Sequence, residues 1–375
     1  MAPVVRALAA RPDLDQQVVL TGQHQGLAGF FEGLQPAALH RLRYDPRERS
    51  VARLRESLHS ELCYHLRLEP ADLVLVHGDT ASAVAGALAA WDCGRPIGHV
   101  EAGLRSFDLE RPWPEEGNRV VIDFLAELLF APTEASARNL RAEWRVNGAV
   151  HVTGNTGIDQ LFHVRDRGPP EAGPSPPGER RLILVTCHRK ENQGAAMERI
   201  CAALKRLTAI LPLDVIVPLH PNRHLRSAMA GLLEGQPHVR LVEPLDHGEM
   251  VRLMIRSWLI VTDSGGLQEE GAALGRPVLV LREETERPEG IETANLKLVG
   301  TDGTAIVEAV AALFEAPGLY ARMSSPSLAF GDGKAAPRIV AAVERWLRSR
   351  EVSRRPASAG RAAAPSPRAR PPGAR

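Results

Sequence analysis

The chain is poor in cysteine, lysine, net charge and long apolar runs, and each shortage excludes something. Its four cysteines, Cys63, Cys93, Cys187 and Cys201, show no C-x-x-C spacing and no disulfide framework. They read as reduced thiols of a cytosolic protein. A formal net charge of +1 makes no case for nucleic acid or for an anionic membrane surface. No apolar run reaches the length that spans a bilayer, and the N-terminus lacks the apolar core of a signal peptide. Lysine stands only at positions 190, 205, 297 and 334, a bias toward arginine that codon usage explains as readily as chemistry. No metal-ligand cluster and no nicotinamide fingerprint occur.

What is present fills two domains, since 375 residues give ample chain for two cores. The chain is organised around residues 74–119. Two short apolar runs, Leu73–His77 and Ile97–Val100, read as buried parallel strands joined by an Ala-rich helix. Each runs into an acid, Asp79 after the first and Glu101 after the second. Acids beyond the carboxyl ends of neighbouring parallel strands converge on one crevice, where open α/β sheets place ligands. Glu115, in Pro114-Glu115-Glu116, is expected in a Pro-rich loop over the same crevice. Three carboxylates around one pocket should raise at least one pKa by mutual repulsion. Gly78 and Gly103 beside the acids suggest close backbone approach to a ligand. The plainer alternative is that these acids are helix caps and solvated loop charges.

Elsewhere, residues 51–68 read as an amphipathic helix, Val120–Leu129 as a helix, and Thr133 as the cap of another. The Pro/Gly-rich stretch 167–181 is a linker. Strands follow at Leu182–Thr186, Asp214–Leu219, Val239–Val242, Leu259–Thr262 and Pro277–Leu281, alternating with helices. The βα rhythm on both sides of the linker predicts an α/β protein of two doubly wound Rossmann-like domains facing a cleft, over 1–166 and 182–334. A helix around Pro337–Arg348 carries Ile339, Val340, Val343, Trp346 and Leu347 on one face. The Arg/Pro/Ala/Ser-rich segment 351–375 is expected to be disordered.

In the second half, the strand ending at Asp263 turns through Ser264, Gly265 and Gly266 into a helix. Backbone N–H groups there, bared by two glycines, suit a diphosphate. Glu270, one turn on, suits the hydroxyls of a ribose. Arg287 offers a bidentate phosphate contact, or else pairs with Glu286 or Glu289 on the surface. His188, after the first strand of this half, can contact a phosphate or move a proton near neutral pH. His220 after the next strand is a weaker candidate.

The strings HGDT (77–80), HVEAGLRS (99–106), PWPEEGNR (112–119) and DSGGLQEE (263–270) resemble the bacterial non-hydrolysing UDP-N-acetylglucosamine 2-epimerases. So do HRKEN (188–192) and the TERPE loop (285–289). The resemblance implies a GT-B-like fold with the helix near 335–350 crossing back to the first domain. It implies a UDP-sugar substrate, a homodimer in the cytoplasm, and no cofactor. UDP would leave carbon 1 of UDP-N-acetylglucosamine as a base takes the carbon 2 proton, and a 2-acetamidoglucal would be reprotonated on its other face. UDP-N-acetylmannosamine for surface polysaccharide would result.

By resemblance, Asp79, Glu101 and Glu115 form the acid/base and charge-stabilising set, with His188 beside the phosphate. Ser264, Gly265, Gly266, Glu270, Arg287 and His220 would hold the nucleotide, and Leu245 and Met250 the uracil. Relatives carry a strand and a GTRPE-type loop before the MAPVVRAL string, with an Arg and a Lys that resemble ligand contacts. The sequence therefore suggests either a misplaced start or a lost edge of the site. Two further departures, at Gln23–Leu27 and at DPRERSV (45–51), bear on regulation by substrate. A hydrolysing epimerase, a glycosyltransferase, an epimerase of a modified sugar and a non-catalytic UDP-sugar binder remain open on sequence grounds.

Overall fold

A computed structural model describes residues 1–23, 38–42, 50–110, 112–168, 180–285 and 287–354. The string after Gln23, most of DPRERSV, most of the linker, Glu286 and the tail from 355 lie outside these.

The first lobe runs α1 (Ala2–Ala9), β1 (Gln17–Leu20), β2 (Ala38–Arg41), α2 (Val51–Leu68), β3 (Val74–His77), α3 (Ala81–Asp92), β4 (Ile97–Val100), α4 (Glu115–Leu125), β5 (Leu128–Ala131), α5 (Glu134–Ala142), β6 (Ala149–Val152) and α6 (Thr156–Arg167). The second runs β7 (Arg181–Thr186), α7 (Ala195–Ile210), β8 (Leu213–Pro218), α8 (Arg223–Leu233), β9 (Val239–Val242), α9 (His247–Arg256), β10 (Leu259–Thr262), α10 (Gly265–Ala273), β11 (Val278–Val280), α11 (Pro288–Glu292), β12 (Leu296–Leu298), α12 (Gly303–Glu315), α13 (Pro317–Met323) and α14 (Ala335–Arg354).

Both lobes are parallel sheets, as the βα rhythm predicts. The second has the order β12-β11-β10-β7-β8-β9 and the first β3-β4-β5-β6, with β1 and β2 as a separate parallel pair. Strands β4, β5 and β10 are buried at every position, which is why they read as unbroken apolar runs and not as alternation. His77 pairs with Val100 across β3 and β4, so the residues beyond each strand emerge side by side. That register places Asp79 and Glu101 together.

The chain crosses between lobes twice. Ile158 and Leu161 of α6 pack in the core of the second sheet with Leu184, Ile216, Val251 and Ile260. Ile339, Ala342 and Val343 of α14 return to the first lobe against Val4, Val100, Leu128 and Phe130. Asp159 of α6 caps α14 by accepting from the Ala335 and Ala336 N–H groups at 3.1 and 2.8 Å, which satisfies donors a helix start leaves orphaned.

Several boundaries differ from the sequence reading: α14 runs to Arg354, four residues into the segment expected to be disordered, and Leu128 and Leu129, expected at the end of a helix, belong to β5. Helix α4 starts at Glu115, five residues before the expected Val120, so Glu115 and Glu116 sit in its first turn and not in a loop. Acids are favoured there by the partial positive charge of a helix start. Strand β12, three residues with an exposed lysine at its centre, is absent from the sequence reading.

Candidate active site

On the first lobe, one arginine organises the acids. Arg119 of α4, nearly buried, donates to the Glu101 carbonyl at 2.6 Å and binds the Asp79 carboxylate through Nη2. The same nitrogen lies 3.6 Å from Glu101 Oε1. Asn118 donates to the Asp79 carbonyl at 2.8 Å. Glu115 stands one turn earlier on the same helix, three and four residues before these two, and so on their face. Its neighbour Glu116 is buried and accepts from the Ser106 and Phe107 N–H groups at 3.0 and 3.1 Å, which orders the loop ahead of α4. Thr80, not Asp79, caps α3, so Asp79 is free of that duty.

Behind this wall lies a fully buried scaffold. His99 is 2.5 Å from Asp123 and donates through Nε2 to the Gly78 carbonyl at 2.9 Å. Asp123 also takes Arg105 at 2.6 Å and the Gly103 N–H at 3.2 Å. Burial pushes the Asp123 carboxyl up, but His99 and Arg105 more than offset it and hold it low. The loops carrying Asp79 and Glu101 are thus tied to one charge cluster. Glu101 itself has a positive φ of 70°, a costly conformation for a non-glycine residue that its neighbours enforce. Gly103 has another purpose than ligand approach: a Cβ there would stand 2.3 Å from the Ser136 carbonyl oxygen, so α5 and not a ligand requires glycine.

The expected rise of a pKa within the acidic trio is not found at Glu101. Burial pushes its carboxyl up, but a 3.2 Å contact with His77, the Arg119 charge and Arg287 of the other lobe hold it far below the usual carboxylate range. Burial lowers His77 in turn. The raised carboxyl belongs to Glu269, which the sequence reading passed over. Burial pushes it up to about 7 against the pull of Arg287, and the Glu101 charge adds to the rise.

On the second lobe, α10 begins at Gly265 after Ser264, whose N–H donates to Thr262 Oγ1 at 2.9 Å. Arg287 donates through Nε to Glu269 Oε1 at 2.8 Å, and Glu269 also accepts from Asn155. The guanidinium lies flat against the helix start, where a Cβ on Gly265 would be 2.6 Å from Arg287 Cζ. This amends the expectation that both glycines bare their backbone. Gly266 has open space beside it, whereas Gly265 is the seat of an arginine.

His188 and His220 come together, their rings stacked at 5.6 Å and 12°. Asp263, fully buried, accepts from the His188 and Arg189 N–H groups at 2.8 and 2.9 Å and from Asn192 at 3.0 Å, and its other oxygen faces His188 Nδ1 at 3.1 Å. Burial pushes that carboxyl up, but these donors win and lower it. Glu270 meets His247 at 3.1 Å. Leu245 and Met250, at the start of α9, are partly buried against the second-lobe core.

Two parallel-sheet lobes in a GT-B-like arrangement, an arginine-bound acidic wall on one and a cationic helix start on the other, define a two-domain α/β protein of the nucleotide-sugar class. The family described as UDP-N-acetylglucosamine 2-epimerase matches residues 6–344. A probable UDP-N-acetylglucosamine 2-epimerase of Ralstonia nicotianae is 41% identical over 363 residues, covering 92% of this chain and 96% of that protein. The UDP-N-acetylglucosamine 2-epimerase of Escherichia coli K12 is 39% identical over 359 residues, covering 92% and 94%. The crystal structure of the Neisseria meningitidis enzyme bound to UDP-GlcNAc superposes with a TM-score of 0.83 at 34% identity, covering 92% and 96%. The chain belongs to the UDP-N-acetylglucosamine 2-epimerase family.

Proposed function

We propose that the protein interconverts UDP-N-acetylglucosamine and UDP-N-acetylmannosamine by eliminating UDP and adding it back. Carbon 2 of this sugar has no adjacent carbonyl, so its C–H is not acidic in the ground state. As the C1–O bond to the diphosphate breaks, positive charge grows at carbon 1 and acidifies the neighbouring C–H. A base takes that proton, and the bonding pair forms the C1–C2 double bond of the glycal as UDP departs. A proton delivered to the other face of carbon 2 and return of UDP to carbon 1 complete the inversion.

In this reading Asp79, Glu101 and Glu115 supply the base, the acid and the negative field. Glu101, held so firmly as an anion, is suited to stabilise the growing positive charge more than to keep a proton. Arg287, the Ser264–Gly266 backbone and His188, oriented by Asp263, take the diphosphate. Glu270 takes the ribose, Leu245 and Met250 flank the uracil, and His220 backs His188. Glu269 is a positioning residue that fixes Arg287.

The observation carrying this reading is that Arg287 lies on the α10 start bound to Glu269, which also accepts from Asn155 just beyond β6 of the first lobe, so the anion grip sits where the two lobes meet. One cleft therefore holds an anion grip and an acidic wall. The same reading divides the chain at the linker 167–181, although the packing of α6 favours grouping that helix with the second lobe. It also carries a cytosolic homodimer, which the family resemblance supports and light scattering reads out. Among the described residues, no single helix is long and apolar enough to cross a membrane.

Turnover in heavy water tests the chemistry. The expected product carries deuterium at carbon 2 and remains UDP-linked. Product without deuterium rejects elimination, and accumulation of free sugar and UDP points to hydrolysis instead.

A further inference from the structure

Away from the cleft, at the far end of α3, two helices bring together four side chains able to bind a metal. His59 and Cys63 stand one turn apart on α2, and Asp92 and Cys93 end α3. His59 Nε2 lies 2.9 Å from Asp92 Oδ2 and 3.5 Å from Cys63 Sγ. The ligand atoms of these three residues all fall within 4.8 Å of one another. Cys93 Sγ lies 3.8 Å from the Cys63 carbonyl oxygen, which places the second thiol beside this trio.

A tetrahedral zinc ion with Zn–N near 2.0 Å and Zn–S near 2.3 Å needs ligand atoms roughly 3.3–3.8 Å apart. The 2.9 and 3.5 Å spacings from His59 Nε2 lie close to that range for the trio, and Cys93 joins it by turning its thiol away from the Cys63 carbonyl. One imidazole, two thiols and one carboxylate select a zinc-type ion over magnesium or calcium. The carbonyl end of α3 points here and adds partial negative charge. Cys63 forms a buried floor, while the His59 and Asp92 side chains are 29% and 55% exposed, so an ion has a way in.

We propose that His59, Cys63, Asp92 and Cys93 form a structural zinc site that staples α2 to α3. With its 12 residues, α3 puts about 18 Å between this site and Asp79, so the ion has no part in the sugar chemistry. The proposal is independent of the epimerase reading.

The test uses the full chain, reduced and stripped with a chelator, then titrated with Co²⁺ as a spectroscopic probe and with Zn²⁺. One ion per chain is expected, with the visible bands of tetrahedral cobalt and a near-ultraviolet sulfur-to-cobalt band. Zinc at a hundredfold excess over its Kd should raise the melting temperature by roughly 3–5 °C. Cys93→Ser should remove about half of the charge-transfer intensity, one of the two thiolates being lost. His59→Gln and Asp92→Asn, changes at accessible positions, should weaken the metal at least about tenfold without unfolding the chain. Absence of the sulfur-to-cobalt band overturns the proposal. So does unchanged affinity in both surface variants, or a freshly purified chain that holds a Cys63–Cys93 disulfide and no metal.

Discussion

The two walls of the cleft are charged by opposite means. The first lobe gathers carboxylates and backs them with buried cations, with Arg119 under Asp79 and Glu101 and the His99–Asp123–Arg105 cluster under the loops. The second lobe presents a helix start and an arginine, and backs the arginine with a carboxylate, Glu269, that burial pushes up to about 7. A charge facing the cleft is useful only if its partner does not cancel it. On the first lobe the partner is a full cation shared among several acceptors, so the wall stays negative. On the second, burial pushes the partner carboxyl toward its neutral form, so the arginine keeps more of its charge for a ligand. The difference assigns proton and charge chemistry to one wall and diphosphate binding to the other.

That division can be broken by substitution, most severely on the acidic wall. Glu101→Gln should lower kcat by about 10²–10⁴-fold while UDP affinity, read by calorimetry, stays nearly unchanged. A matched loss of UDP binding would show that the two walls are not separable. Arg287→Ala should do the reverse, weakening UDP by about 10–100-fold through loss of charge-assisted hydrogen bonds. Binding that survives this change would remove the arginine from the grip.

Glu269→Gln sharpens the contrast through pH. This acid binds its proton more tightly folded than unfolded, so its contribution to stability is greatest below the unfolded value near 4.5 and falls as pH rises toward 7. Denaturant titrations of the variant should show that decline flattened by a kcal/mol or two. An unaltered pH profile of stability contradicts the assignment. Gly265→Ala should have the mildest effect. Its new methyl group pushes the Arg287 guanidinium off its seat beside Glu269, so KM should rise by up to about tenfold, with a modest fall in melting temperature. An unchanged KM means that the seat of Arg287 does not matter.

Much of this was legible in the sequence because it is local. The strand–acid pairs, the Ser264–Gly266 turn and the βα rhythm are written in neighbouring residues. What was not legible depends on partners far apart in the chain. Arg119 is an ordinary helix arginine until the β3–β4 register brings Asp79 and Glu101 to it. Glu269 and Glu270 are adjacent and chemically alike. Only the fold sends one toward Arg287 and Asn155 and the other toward His247. Asp263 reads only as the end of a strand, yet it is wholly buried and holds the His188 loop. The acids of PWPEEGNR suggested a loop because proline dominates the string, but acids at a helix start are well placed and α4 begins there. Spacing along the chain also separates Cys63 from Cys93 by an entire βα unit, and nothing in that spacing says that α2 and α3 bring them together.

The most direct test is a crystal structure of the chain with UDP-N-acetylglucosamine bound. The diphosphate is expected against Arg287 and the Gly266 N–H, with carbon 2 of the sugar facing the Asp79–Glu101 pair at about 3 Å. A sugar directed out of the cleft, or a diphosphate seated away from the start of α10, would contradict the account.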